Sequence, residues 1–400
     1  DLSRGDFDWR RLEGTREALA RWRAEQEERL ATDPAASAFC LGLALPRHPG
    51  EVPPRAVPEA SCAVDAHPAS PLVLFSRAVA TGGDPALARR ALSLEPTFQE
   101  AHLLLGHAAR AERRLGVAEE HYRSAFESLP RSVAAGMALA DVSFSLEAWP
   151  QALSAYEQVA AVAPEHREAH LRRGIVLTFL NRPHDAMAVL DRLLVLGFWF
   201  LGEAHYWTAR NQAEVGWSGE ALGQLEQAAH YLPDDPRVHE LAGRLALEAD
   251  AAEEAREDFL RVVEIDSRWP GRYDGHEALC GALSGLARIA STERLWRAAA
   301  GRFEQAADCQ GAGAELVSGE IAAIRTWGLS PSREARLIEQ KERARESLQL
   351  RKATGLYNAA ACALNAGERV RATGLAERAA EHPQYTQKAD SLIMRILAPR

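Results

Sequence analysis

Small and bulky positions recur at a fixed interval through the middle of the chain. "EEHYRSAFESLP" at 119–130 is followed thirty-four residues later by "LSAYEQVAAVAP" at 153–164, with Tyr122 matched by Tyr156 and Pro130 by Pro164. Registers begin at Gln99, Val133, Arg167, Gly202 and Pro236, in steps of 34, 34, 35 and 34 residues. The twentieth place holds Ala118, Ala152, Ala186, Ala221 and Ala255, and the eighth holds Gly106, Ala140, Gly174, Ala209 and Gly243. The twenty-fourth place holds Tyr122, Tyr156, Leu190, Leu225 and Phe259. A residue without bulk lets two helix backbones approach, and a bulky group one turn beyond the alanine lies on the same helix face.

Each unit is therefore predicted to be a helical hairpin, a first helix of roughly fourteen positions, a turn, and a second helix closed near a proline. Pro130, Pro164 and Pro233 close units one, two and four. The turn inside the hairpin favours residues that tolerate positive φ. Asn181, Gly216 and Asp250 suit it in units three to five, whereas Arg113 and Glu147 fit poorly. A looser turn, or a boundary shifted by a residue or two, is expected in units one and two.

These columns resemble tetratricopeptide repeats: a thirty-four-residue period, small at eight, Ala at twenty, aromatic or bulky at twenty-four and proline at thirty-two. The resemblance covers 99–269 in tandem, and a sixth unit similar to it starts at Ala353, with Gly367 at the turn, Ala372 at twenty and Ala379 at twenty-seven. A degenerate unit precedes the array, where Ala91 and Pro96 fall at twenty-seven and thirty-two. The resemblance implies an all-α fold, a right-handed α/α superhelical solenoid of helical hairpins. Two departures stand out. The family's tryptophan at position four is His102, Gly136, His170, His205 and His239 here, and unit three ends in Phe198. The extra residue lies near "LGFWFLGEAHYW", so an irregularity is expected between units three and four.

Outside the array the pattern changes. Residues 1–33 carry a charged helix with Trp9, Leu12, Leu19 and Trp22 on one apolar stripe, read as a capping or docking helix. Residues 34–68 hold seven prolines and no periodicity, which reads as a loop or linker. Residues 69–98 form the degenerate repeat, 99–269 the five tandem units, and 270–400 further helical hairpins that include the unit near 353–386. In that last segment "HEALCGALSGLARIA", "TERLWRAAAGRFEQAA" and "GAELVSGEIAAIRTW" read as successive helices before a fresh start at Ser330–Pro331.

Composition narrows the function classes. With 47% hydrophobic residues among 400 there is ample material for a core, and no apolar run reaches membrane-spanning length. A net charge of −9 argues against nucleic acid as the main partner. Only Lys341, Lys352 and Lys388 among the 47 basic residues are lysines, a bias that fits a GC-rich bacterial coding sequence and leaves a surface of guanidinium forks suited to carboxylates. The chain starts with Asp, which leaves an upstream leader, anchor or domain open, and cytoplasm and periplasm both remain open. Cys40, Cys62, Cys280, Cys309 and Cys362 are scattered and odd in number, which suits neither a disulfide framework nor a zinc knuckle. Only Cys40 and Cys62 sit where a bridge is expected to help.

Motifs for chemistry are absent. "VHELAG" and "GHEALC" lack the second histidine of a zinc-binding helix, "GAGAEL" lacks a preceding strand, "GALSGL" has the wrong spacing for a serine elbow, and "DCQG" lacks the strand a nucleophile would end. No catalytic residue, cofactor or metal is predicted. The four position-four histidines read as half-buried rings that hydrogen-bond across repeat junctions, because equivalent positions on successive first helices stand on the order of 10 Å apart, too far for a shared ion.

The family resemblance implies a concave groove lined by first-helix positions. It would be lined by Leu103, Leu104 and His107 from unit one, Met137, Asp141 and Phe144 from unit two, Arg172 and Phe179 from unit three, Tyr206, Trp207 and Arg210 from unit four and Arg244 from unit five. Aromatic groups with three arginines suit an acidic peptide. Position six is Leu104, Ala138, Arg172, Trp207 and Leu241, without the asparagine of the family's chaperone-binding carboxylate clamp. The expected function is a non-catalytic scaffold or assembly subunit that binds protein partners; the alternative is a regulatory, sensor or accessory arm of an enzyme system.

Overall fold

The structure is a computed structural model that describes residues 69–81, 83–197, 200–268 and 276–398. The helix expected within 1–33, the Pro-rich segment 34–68, Cys40, Cys62 and Phe198 lie outside the described residues. Those residues form seventeen helices and no strand, an all-α solenoid architecture of helical hairpins.

The chain divides into two compact units, Asp1–Val142 and Ser143–Arg400. The first contains α1 (Pro71–Ala80), α2 (Pro85–Leu94), α3 (Gln99–Ala111) and α4 (Leu115–Ser128), and the division falls within α5 (Val133–Ser145). The second continues with α6 (Trp149–Val162), α7 (Arg167–Phe179), α8 (Pro183–Val195), α9 (Leu201–Glu214), α10 (Ser218–Tyr231), α11 (Pro236–Glu248) and α12 (Ala252–Arg268). It ends with α13 (His276–Thr292), α14 (Trp296–Ile324), α15 (Pro331–Asn365), α16 (Arg369–Ala380) and α17 (Thr386–Leu397).

Local chemistry sets many of these starts. Pro71, Pro85, Pro183, Pro236 and Pro331 open helices, where their missing N–H costs nothing. Asp84 and Asp235 cap α2 and α11 by accepting from Ala86 N at 2.8 Å and Arg237 N at 2.9 Å. Ser330 occupies the cap position of α15, but its side chain makes no capping bond.

The periodic columns interlock. All five position-twenty alanines are 0% exposed, and Tyr122, Tyr156 and Leu190 are equally buried. A Cβ added at Gly106 would stand 2.4 Å from the Tyr122 ring, at Gly174 2.7 Å from Leu190 and at Gly243 2.8 Å from Phe259. In these three repeats the bulky group of the second helix thus fills the notch of its own first helix. Phe259 is held from both sides, since a Cβ at Gly285 of α13 would lie 2.2 Å from its ring.

The turns correct one expectation. Arg113 (φ 58°) and Glu147 (φ 51°) adopt the same left-handed conformation as Asn181 (57°), Gly216 (83°) and Asp250 (62°). In each case the next N–H reaches back five residues, Arg114 to Ala109 and Ala148 to Ser143 among them, at 2.8–2.9 Å. Arg294 and Gly367 repeat this pattern, with Leu295 N on Ala290 O and Glu368 N on Ala363 O. The helix packing imposes this closing turn, and a non-glycine residue accepts a cost of about 1–2 kcal/mol to comply. The irregularity between units three and four appears as positive φ at Gly197 (108°) and Phe200 (66°), the latter preceding α9.

Two further expectations are corrected. The segments expected as separate helices across "DCQGAGAE" form the single 29-residue α14, in which Gly311 and Gly313 lie against the side chains of Lys352 and His276. The sixth unit has no helix start of its own at Ala353. Its first helix is the C-terminal part of the 35-residue α15, which packs with α16 around Ala360, Ala372, Leu375 and Ala379.

The cysteines also depart from expectation. Cys280 on α13 and Cys309 on α14 form a disulfide with Cα atoms 5.5 Å apart, 29 residues apart in sequence, while Cys362 is free and buried. Packing of two helices, which spacing along the chain does not display, brings the pair together.

Substituting Gly285→Ala is expected to destabilise the chain by ~1–3 kcal/mol through overpacking on the doubly clamped Phe259. Gly223→Ala, on an exposed stretch of α10 with open space around it, is expected to stabilise by ~0.5–1 kcal/mol. Urea unfolding of the two variants checks both signs.

Candidate functional site

The position-four histidines staple the repeats. His102 and His239 direct Nε2 to the carbonyls of Pro96 and Pro233 at 2.9 and 3.1 Å, and His170 does the same to Pro164 at 2.9 Å. Each of these three rings ties the proline that closes one unit to the first helix of the next. The Nδ1 atoms of His102, His205 and His239 meet His121 at 3.1 Å, Gln224 at 2.7 Å and Asp258 at 3.1 Å, all at position twenty-three on the paired second helix. At His102 and His239 the imidazole has two tethers where an indole offers one donor.

Their electrostatics differ. Burial works to lower the His239 pKa, but hydrogen bonds to Asp258 and the Pro233 carbonyl outweigh it, so the value is raised above 6.5. His121 is shifted downward by burial first and by neighbouring His102 second. The stabilisation from His239 is therefore complete below the unfolded pKa near 6.5 and lost as pH rises through the folded value. That from His121 is complete above the unfolded value and lost as pH falls. Imidazole NMR titration is expected to place His239 above 6.5 and His121 below it, and Asp258→Asn to move His239 downward.

The predicted groove residues fall in both units. In the first, Leu103, Leu104 and His107 share with Phe75, Val79 and Glu100 the wall of a mostly apolar hollow of about 460 Å³. His107 Nδ1 and the Tyr122 hydroxyl are hydrogen-bonded at 2.8 Å, and burial lowers the His107 pKa. Met137 and Asp141 are half-buried on α5.

In the second unit, the aromatic residues gather. Trp149 stacks on Phe179 with ring centres 4.6 Å apart and an interplanar angle of 15°, and Phe144 meets both rings edge-on at 5.2 and 6.3 Å. Phe179 also meets Trp207 at 5.8 Å. Phe179 is 42% exposed, whereas Tyr206 and Trp207 are 5% and 7% exposed and pack within the repeat core. Arg172 lies over the Phe144 ring at 5.4 Å and Arg210 over Trp207 at 5.2 Å.

A second cleft of about 440 Å³ is lined by Tyr206, Arg210, Arg237, Glu240, Arg244, Glu277 and Arg351, among others. Arg237 lies over Tyr206 at 4.9 Å and is held by Asp235 at 2.6 Å and Glu203 at 2.8 Å. Burial alone would lower its pKa, but these two carboxylates raise it. Burial raises the Glu240 pKa, with Arg244 opposing and Glu277 reinforcing. Arg244 meets Glu240 and Glu248 only at 3.9 Å, beyond hydrogen-bond range.

Sequence reasoning missed Trp149, Arg237, Glu240 and Arg351. Trp149 begins a second helix, which the family's groove positions omit, and Arg351 comes from α15, more than one hundred residues beyond Arg244. The same helix is fastened to the turn before α6. Lys341 Nζ lies 2.6 Å from Glu147 and 3.0 Å from Glu320, and Gln340 donates to Glu147 at 2.6 Å across 193 residues of sequence. The glutamate that suits its turn poorly is the residue that holds α15.

No helix among the described residues is long and apolar enough to cross a membrane. No family model matches the chain, and no curated protein matches it. Among solved structures it is similar to YrrB, a TPR protein with an unusual peptide-binding site, at 19% identity and TM-score 0.40 over 46% of this chain and 95% of that one. A tetratricopeptide repeat protein from Parabacteroides merdae ATCC 43184 aligns at 17% identity and TM-score 0.44, covering 67% of this chain and 96% of the other. The APC/C hetero-tetramer Cut9–Hcn1 aligns at 12% identity and TM-score 0.47, covering 92% of this chain and 64% of that one. The repeat type rests on the chain's own columns: small notch, buried alanine, bulky knob and left-handed turn at a thirty-four-residue period make this a protein of tetratricopeptide-type repeats.

Proposed function

We propose that the protein is a non-catalytic scaffold, a subunit of a larger assembly, whose second unit seats an acidic segment of a protein partner on α7, α9 and α11. The observation that carries this reading is Phe179, 42% exposed in an aromatic cluster whose other members are buried or half-buried, with Arg172 and Arg210 over the neighbouring Phe144 and Trp207 rings. An accessible aromatic in a rigid frame beside arginines is the composition of an interaction hot spot. The acidic preference comes from Arg210, Arg244 and Arg351 in the adjoining cleft. Arg237 is already matched by Asp235 and Glu203, and Arg244 retains donors for an incoming carboxylate. Tyr206 and Trp207 act as the packed floor beneath. In the first unit, Leu103, Leu104 and His107 offer a separate apolar contact surface.

Crosslinking mass spectrometry identifies the partner and its contact segment. The Arg172→Ala/Arg210→Ala/Arg244→Ala variant is then expected to bind it about tenfold more weakly or worse, with helicity unchanged and with reduced dependence on salt. Wild-type affinity in the triple variant would overturn the seat.

A further inference from the structure

Beside the arginine-lined cleft but with residues of its own, the start of α13 and the middle of α14 bring His276, Cys280 and Cys309 together, with one ligand atom from each within 4.8 Å of the others. His276 and Cys280 are four residues apart and so share one face of α13. His276 Nε2 lies 2.7 Å from the Cys309 carbonyl oxygen and 3.8 Å from Cys309 Sγ. The ring packs on Gly313 of α14, where a Cβ would stand 3.3 Å from the imidazole, a tight contact. Cys280 and Cys309 are buried, at 1% and 8% exposure, while His276 is half-buried. Two thiol sulfurs and one imidazole nitrogen are the donor set of a thiophilic divalent ion.

We propose that the reduced protein uses Cys280, Cys309 and His276 as a three-ligand site for a zinc-type cation, and that the disulfide is the oxidised, metal-free state of the same site. A tetrahedral ion with Zn–S near ~2.3 Å and Zn–N near ~2.0 Å needs its ligand atoms roughly 3.5–3.8 Å apart. The 3.8 Å Sγ–Nε2 separation already meets that spacing, and breaking the disulfide frees the two sulfurs to move apart. A low-molecular-weight thiol supplies the two electrons. Two RSH plus the Cys280–Cys309 disulfide give two protein thiols and RSSR, with the thiol protons passing to the cysteines. Binding the ion then releases both of these protons to water, leaving two thiolates. In the metal-free state His276 Nε2–H donates to the Cys309 carbonyl; on binding, the ring exchanges that proton for one at Nδ1 through water and turns the freed Nε2 lone pair to the ion. The fourth position opens on the His276 side, where the site is least covered, and takes water.

Cobalt(II) is the probe, added under argon to the full chain after reduction and removal of reductant. One equivalent is expected to give the thiolate-to-cobalt charge-transfer absorption of a tetrahedral site, which zinc then displaces. The oxidised chain is expected to give none, Cys280→Ser and Cys309→Ser to abolish it, His276→Ala to weaken binding about tenfold or more, and Cys362→Ser to leave it unchanged. Zinc is also expected to protect the Cys280 and Cys309 thiols from alkylation in the reduced wild type. A reduced chain that stays helical yet shows no such absorption overturns the proposal. Absorption indifferent to both cysteine substitutions does the same, as does a reduced chain that loses helicity and does not regain it with cobalt.

Discussion

The structure depends on one steric interlock: a bulky residue at position twenty-four of the second helix fills the notch left by a small residue at position eight of the first. A short amphipathic hairpin cannot bury its apolar face alone, so hairpins stack, and the stack holds only if the helices come close enough to exclude water. Gly106, Gly174 and Gly243 provide that approach, and the alanines at position twenty clear the way for the neighbouring helix. Once helix spacing is set, the turn between the helices has little choice. That is why Arg113 and Glu147 take the same left-handed φ as Gly216.

Polar side chains then fix how consecutive hairpins join. His102, His170 and His239 bridge a closing proline carbonyl to the next first helix, and three of the position-four histidines reach the paired second helix through Nδ1. Asp235, Glu203 and Arg237 form a similar tie between α9 and α11 and at the same time support the Tyr206 face beside the arginine-lined cleft. Positions that brace the repeats are therefore neighbours of those proposed for a partner, and Phe179 stays exposed although Trp149 and Trp207 pack against it.

The array was legible because its information is local and repeated. Periodic alanines and knobs identify the hairpins, and prolines mark several exits. What was not legible came from contacts without a period. The Cys280–Cys309 bond joins two helices whose spacing has no signature, and the glycines of "GAGAEL" look like a break until Lys352 and His276 cover them. Glu147 violates a local turn preference and is also the anchor for Lys341 and Gln340 of α15, a case in which a mismatch between residue and backbone marks a tertiary contact. The predicted groove residues illustrate the same limit. Tyr206 and Trp207 lie on α9, but Arg237 and Phe179, which lie in other repeats, pack against their rings, and helix phase alone does not display such contacts.

The interlock is tested most directly by a double-mutant cycle on Gly174 and Leu190, a notch and its knob, read by urea unfolding. Gly174→Ala overfills the contact and Leu190→Ala empties it, at expected costs of ~1–3 and ~2–5 kcal/mol. Because the added methyl occupies space that the trimmed leucine vacates, the double variant is expected to recover at least ~1 kcal/mol relative to the sum of the single variants. Strict additivity of the two costs would contradict the account.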